Sequence, residues 1–457
     1  MKSMNKNMLQ GPLFLNIILY TIPIILTSVL QLLFNAADLV VVGRFCGSVC
    51  VAAVGATSSL TNLLVNFFVG LSIGAGVTLA HALGAREAET AHRTVHTALP
   101  AALVSGVILT VVGVAFSETF LRLMDTPENV LPLSAVYMKI YFCGITFTMV
   151  YNFCASILRA AGDTKSPLIF LTAAGVINVV LNVVFVTIFN MNVAGVALAT
   201  TISQGVSAVA VVLVLMHRTD ACKLTLSKIR FYKPQLVKII RIGLPAGIQS
   251  SLFGISNVLI QSSINSFGDI LMSGNAAAAN IEGFVYACLN AFQQTAVNFI
   301  GQNVGAHQYK RVYRTLWICL GCVVVVGLCT GLTAYTFGPQ LLSIYITDSA
   351  EAIRYGMIRV SMICIPYFLC GLMEVSTGAL RGMGASVAPM IISVLGVCGI
   401  RISWIATIFQ LPQFHTPQCL YFSYTVSWSI TFLIQMAAFI LVYRRHTREA
   451  VRIEGHL

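Results

Sequence analysis

The sequence predicts an all-α membrane protein, with twelve transmembrane helices in two pseudo-symmetric six-helix lobes around a central cleft. Three observations lead there: the composition, the number of apolar segments of spanning length, and a register in which the second half repeats landmarks of the first. Of the 457 residues, 57% are hydrophobic and 9% charged, whereas a soluble domain carries roughly 25% charged residues. No water-soluble fold could hide that surplus. With hydrocarbon as the solvent, the unit of organisation is a span of about 20 residues rather than a soluble domain.

Spans are expected at 13–41, 50–80, 95–116, 132–157, 167–189, 194–216, 237–264, 275–303, 315–338, 354–378, 387–409 and 418–443. The first follows Lys2 and Lys6 and imitates a signal peptide. No small-residue cleavage site follows its apolar run, so it is read as a retained span. Val95–Phe116, Leu168–Phe189, Trp317–Phe337 and Val387–Phe409 are too long and too uncharged for soluble core helices. The segment 275–303 is rich in amides but has the same length.

The net charge of +12 would suggest nucleic acid as a partner of a soluble chain. Here the basic residues gather in short loops, which is the positive-inside pattern of a multi-pass inner-membrane protein, and nucleic acid is not expected. With both termini in the cytoplasm, the inner side takes all of the 27 Lys and Arg except Arg44, Arg122, Lys139, Arg354, Arg359 and Arg401. The richest inner segment runs from His217 to Arg241 and bisects the chain. It divides an N-terminal lobe (1–216) from a C-terminal lobe (237–457), with 217–236 as a basic cytoplasmic linker. The thirteen cysteines sit mostly in apolar runs, and Cys319-x-x-Cys322 lies within a span, so they read as small buried hydrophobes.

Sliding the chain over itself by 221 to 222 residues aligns Pro23 with Pro245, Asn35 with Asn257, Gly84-Ala85 with Gly305-Ala306, and Arg93 with Arg314. Leu158-Arg159, Gly162 and Pro167 likewise fall on Leu380-Arg381, Gly384 and Pro389. Six spans per half start each repeat on the same side, so the repeats are parallel. Substrate sites in such proteins lie between the halves or inside one of them.

The pattern Pro23, Gln31, Asn35, Asp38 and Gly43, then Gly70-Leu71-Ser72-Ile73-Gly74, Leu158-Arg159-Ala160-Ala161-Gly162-Asp163 and Pro167, with Leu380-Arg381-Gly382-Met383-Gly384, resembles the multidrug and toxic compound extrusion (MATE) transporters. The resemblance covers nearly the whole chain. It implies a two-lobed fold and proton- or sodium-coupled efflux of drugs and other organic cations.

An ionisable side chain deep in a bilayer is costly and therefore a functional candidate. Asp38, Glu282 and Glu374 qualify. Thr27, Gln31, Asn35 and Asp38 form one polar stripe on the first helix, and Asp38 falls opposite Ile260 in the repeat, so the acid belongs to one lobe. Asn178 and Asn182 on the fifth span, and Thr200 and Gln204 on the sixth, repeat an i, i+4 spacing. The resemblance implies that Asp38 binds a coupling proton in a network with Asn35, Asn178, Asn182 and Thr200. Asn182 stands where proton-coupled members often carry a second aspartate. Desolvation disfavours the charged form of a lone carboxylate among amides, which suits it to carry a proton. The bland alternative places Asp38 in water at the outer surface.

In the C-terminal lobe, Glu282 or Glu374 either pairs with Arg401 to lower the cost of burial or binds cationic cargo. Gln249, Asn257, Gln261, Asn290, Gln293, Gln294 and Asn298 stripe the seventh and eighth spans and either line a hydrated cavity or join helices through hydrogen bonds, and Gln31 of the first helix is read as cavity-lining with them. The seventh span lacks the acid of sodium-coupled relatives. Intramembrane charge reads as mainly acidic, with Arg401 the exception, which favours cationic cargo. Two motifs are set aside. Gly70-Leu71-Ser72-Ile73-Gly74 fits a hydrolase elbow but lies inside one span, where its glycines suit close helix packing, as do Gly243-x-x-x-Gly247 and Gly327-x-x-x-Gly331. His92 and His96 have metal-ligand spacing but no third ligand in sequence, and no metal is expected.

The expected function is secondary active multidrug efflux: organic, often cationic, compounds leave in exchange for protons or sodium by alternating access. The alternative is a flippase for lipid-linked sugars or lipids, which would need a cationic cleft. No enzyme chemistry and no cofactor are expected beyond the coupling ion. The expected partners are small organic substrates and membrane lipids, with the chain acting as a monomer.

Overall fold

A computed structural model describes residues 8–124, 126–346 and 349–454. The first half comprises α1 (Leu13–Phe45), α2 (Ser48–Gly84), α3 (Ala88–Leu123), α4 (Leu131–Cys143), α5 (Ile145–Ala160), α6 (Lys165–Thr187) and α7 (Asn192–His217). The second comprises α8 (Lys233–Asn265), α9 (Asp269–Gly305), α10 (Tyr309–Thr336), α11 (Gly338–Ser343), α12 (Ala350–Arg359), α13 (Tyr367–Gly382), α14 (Val387–Ser393), α15 (Ile400–Ala406) and α16 (Pro417–Glu454). Two π-helical segments, Val360–Cys364 and Val394–Gly399, interrupt the second series.

Among the described residues, nine helical stretches are long and apolar enough to cross a bilayer, and two bent pairs raise the number to 11. The twelfth span is α9, 37 residues long, whose amides lower its apolar character without shortening it. The bent pairs are α4 with α5, at 47°, and the α12 stretch with α13, at 43°. Gly144 lies at the first break and Pro366 at the second, 222 positions later in the chain. Glycine weakens a helix by its backbone freedom, and proline removes a hydrogen-bond donor, so different residues break the helix at the same point of each repeat.

The repeat extends to the caps. α1 and α8 have 33 residues each, and α2 and α9 have 37 each. Gly162 and Gly384 take φ of 88° and 83° after α5 and α13. Gly162 N donates to Arg159 O and Asp163 N to Leu158 O, and Gly384 N to Arg381 O and Ala385 N to Leu380 O follow the same scheme. This is a Schellman ending, in which the left-handed residue costs glycine nothing. The repeated Leu-Arg-x-x-Gly motif is thus a helix stop. In the first half Asp163 then accepts from Lys165 N and Ser166 N, starting α6.

By packing, the described chain forms two compact units. One contains Leu26–Ser251, and the other contains Met8–Ile25 together with the chain from Leu252 onward. Both long helices change unit part-way, α1 shortly after Pro23 and α8 after Pro245. A helix-interior proline deletes an i→i−4 hydrogen bond and weakens the helix there. The start of α1 is fixed within the second unit, where Tyr20 meets Phe299 edge-on at 5.3 Å and Thr21 Oγ1 lies 2.8 Å from Thr295 Oγ1. Arg311 adds hydrogen bonds to the carbonyls of Met8, Gln10 and Gly11.

The start of α8 is fixed in the first unit by glycines. A Cβ on Gly70 would lie 2.2 Å from Gly247 N, and one on Gly74 would lie 2.2 Å from Ile239 O and 2.7 Å from Gly243 N. The elbow-like motif and Gly243-x-x-x-Gly247 are therefore two faces of one close helix contact. Within this unit α5 packs on α2, α3 and α7; within the other, α13 packs on α9, α10 and α16. His96 spends both ring nitrogens on backbone, facing His92 O through Nδ1 and Thr225 through Nε2. It thereby holds the basic loop against α3. The thirteen cysteines are all unpaired.

Candidate functional site

In the first unit the site begins with a packing contact. Gly175 on α6 has no side chain, and the ring of Phe34 on α1 occupies the space: a Cβ built there would fall 1.9 Å from Phe34 Cε2. One turn further along α1, Asp38 comes level with Asn178 and Asn182, one and two turns beyond Gly175 on the same face of α6. Asn182 Nδ2 donates to Asp38 Oδ1. With its amide nitrogen facing the carboxylate, Asn178 also donates to Asp38 Oδ1 at 2.7 Å, and its oxygen accepts from Thr200 Oγ1 at 3.3 Å. Both amides thus address one oxygen and leave Oδ2 to take a proton.

Asn178 and Asn182 are buried and Asp38 is half-buried. An apolar cluster that includes Val41, Val42, Val186, Val193 and Val196 flanks the same stretches of α1, α6 and α7. The structure therefore joins Asp38, Asn178, Asn182 and Thr200. Asn35 and Gln31 are exposed, and neither side chain makes a hydrogen bond among the described residues.

Because a glycine sets the α1–α6 distance, Gly175→Ala should push Phe34 aside and lower transport severalfold, at about 1–3 kcal/mol of overpacking. Adding Phe34→Leu should restore part of the loss. Transport and thermal stability of both variants provide the check; an unchanged single variant would mean that the contact does not set the site.

In the second unit Glu282 does not pair with Arg401. Its Oε2 accepts from Arg359 Nη2 at 2.6 Å and Nε at 3.1 Å, and its Oε1 accepts from Tyr367 Oη at 3.0 Å. Arg359 also donates to Asn275 Oδ1 at 2.6 Å, which accepts from Tyr421 Oη at 2.9 Å as well. Gln261 joins this network as acceptor from Asn275 Nδ2 at 3.3 Å. Glu374 pairs with neither cation through a salt bridge: it is buried and accepts from Gln293 Nε2 at 2.6 Å, and Gln293 in turn accepts from Asn290. Arg401 instead lies over the rings of Tyr424 and Trp428. Gln249 is buried in the first unit, and Asn257 is exposed in the second.

The expectation of mainly acidic intramembrane charge does not hold for the buried side chains. Arg359, Arg381 and Arg401 are all buried, and Glu374 is the one acid in the same class among the described residues. The sequence reading missed Asn275, Tyr367 and Tyr421. It also missed the role of Arg359, although that residue and Glu282 both lie within the first two turns of their expected spans, a signal that could have paired them.

Two stretches, 23–184 and 245–406, match the family model MatE. The chain belongs to the MatE family. The two matches are displaced by the register found by sliding the sequence over itself, so each half matches the family model once. Among curated proteins, the chain is 27% identical over 399 residues to the probable multidrug resistance protein YpnP of Bacillus subtilis, covering 86% of this chain and 87% of that one. It is 29% identical over 403 residues to the probable multidrug resistance protein YoeA of the same organism, covering 84% of each.

Among solved structures, a crystal structure of MATE in complex with MaL6 superposes with a TM-score of 0.90 at 18% identity, covering 98% of this chain and 100% of that one. A MOP superfamily transporter from Pyrococcus furiosus, described as having reverse polarity of its binding pocket, gives 0.91 at 18% identity over 98% and 99%. The MatE chain therefore has the twelve-helix, two-lobed membrane fold of these transporters.

Proposed function

We propose that this chain is a secondary active antiporter that exports organic, often cationic, compounds in exchange for protons by alternating access, acting as a monomer in the cell inner membrane. The observation that carries the reading is the Asp38 site: a carboxylate with both amide donors on one oxygen, flanked by valines and present in one half of the repeat. Proton is favoured over sodium because the amides turn N–H groups toward the carboxylate. A hard cation needs several oxygen ligands in their place. Family membership and the similarity to the probable multidrug resistance proteins YpnP and YoeA support organic compounds as cargo.

Ion binding shifts a two-state equilibrium only by its differential affinity for the states, so the proton must bind Asp38 more tightly in one state than in the other. Purified protein in liposomes, a fluorescent organic cation and an imposed proton or sodium gradient test the reading. Proton-driven movement without a sodium effect is expected, and movement driven by neither gradient would defeat it. The proposed orientation has its own test. A reporter fused after Arg230 or after Arg444 should read as cytoplasmic, because the basic residues there oppose translocation. Either one on the outside would overturn the topology.

A further inference from the structure

Arg401 is a buried cation whose carboxylate is missing. The residue is 4% exposed, and the pairing that Glu282 could have offered is taken by Arg359. Among the described residues its one side-chain hydrogen bond runs from Nε to Ser427 Oγ at 3.0 Å. The N–H groups on its two terminal nitrogens meet no acceptor there. The guanidinium lies 3.9 Å from the ring centroid of Tyr424 and 5.6 Å from that of Trp428. Trp428 in turn meets Tyr367 at 5.1 Å with the ring planes tilted by 37°, so the cation sits at one end of an aromatic row. Cation–π attraction offsets only a small part of the cost of burying an unpaired guanidinium, and a planar fork of free donors is the geometry that receives an anion.

A second, independent feature marks the place. The π-helical segment Val394–Gly399 ends two residues before Arg401. Such segments cost backbone regularity and concentrate at functional sites. The same combination of a π segment and a buried arginine occurs at Arg359, beside Val360–Cys364. There the guanidinium has its acid, and at Arg401 it has none.

We propose that Arg401 is an anion-binding site within the second unit, with Tyr424, Trp428 and Ser427 as its walls. Its ligand is a monoanionic group, supplied either by chloride or by the carboxylate of a cargo molecule. This goes beyond the antiport reading, which assigns the second unit no ligand. A carboxylate source would add zwitterionic and anionic compounds to the cargo, and chloride would make the anion a permanent partner of the fold.

Trp428 reports on the site. In a Trp317→Phe/Trp404→Phe background of the full chain in detergent, its emission is followed while sodium chloride or sodium acetate replaces sodium HEPES at constant ionic strength. A saturable change is expected with at least one of the two salts. Response to both, with mutual competition, means that either source fits; acetate alone assigns the site to cargo, and chloride alone assigns it to the inorganic ion. Arg401→Gln should abolish the saturable change, and Arg401→Lys, which keeps the charge but loses the fork, should move its midpoint about tenfold higher. No saturable change in the Arg401 protein would overturn the proposal. So would the same midpoint in Arg401→Gln or, should that variant fail to fold, in Arg401→Lys. No gradient enters the measurement, so its failure leaves the antiport reading standing.

Discussion

Asp38→Asn is expected to reduce proton-driven export to background while the protein still folds and still binds cargo. The reason lies in how the carboxylate is held. Asn178 and Asn182 both donate to Oδ1, and an asparagine at position 38 keeps an oxygen for them. Its Nδ2 then stands where the protonated Oδ2 of the acid would be, so the variant imitates the loaded state in shape and in much of its hydrogen bonding. What it lacks is a proton that can leave. The equilibrium between states should then settle on the one that the proton favours, and turnover should stop. Three measurements check this: export of a fluorescent cation from liposomes under a proton gradient, equilibrium binding of the same compound, and elution as a single species in detergent. Export at the wild-type rate would remove Asp38 from the coupling role. Loss of folding in Asp38→Asn, with Asp38→Glu also inactive, would recast the site as structural.

Much of this arrangement is legible in sequence, for definite physical reasons. Spans are legible because hydrocarbon demands long apolar helices. The register is legible because the same stops, Gly162 and Gly384, end equivalent helices by the same backbone geometry. Helical spacing puts Asn178 and Asn182 on one face of their helix, and their grouping with Asp38 follows from the family resemblance. The α1–α6 contact that brings this face to Asp38 depends on a ring over a glycine, and no periodicity announces it. Nor could sequence show that α1 and α8 change unit, since hydropathy is blind to which neighbours a span buries against. Sequence points to Arg401 for Glu282 because Arg401 lies well inside an expected span whereas Arg359 lies near the end of one. Only the packing of α9 against α12 decides for Arg359.

That pairing leads to a second large effect, this time on stability. Glu282 and Arg359 have side chains 14% and 9% exposed, so their ion pair is largely shielded from water and screened little by salt. Removing one partner strands the other: Arg359→Met leaves a carboxylate with the Tyr367 hydroxyl alone, and Glu282→Gln leaves a guanidinium facing neutral amides and rings. Each single variant should lose about 3–5 kcal/mol, as broken buried pairs do. The double variant Glu282→Leu/Arg359→Met should regain most of that, because apolar replacements of similar volume need no desolvation of charge. Unfolding in detergent, followed for both singles and the double, yields the coupling. Losses that add to within about 0.5 kcal/mol would mean that the residues act independently. The double variant also separates the two clusters by function. Asp38 belongs to the other unit, so proton-driven export should survive in a folded Glu282→Leu/Arg359→Met protein. If export is lost although that protein is as stable as wild type, Glu282 and Arg359 belong to the transport machinery, and coupling cannot rest on Asp38 alone.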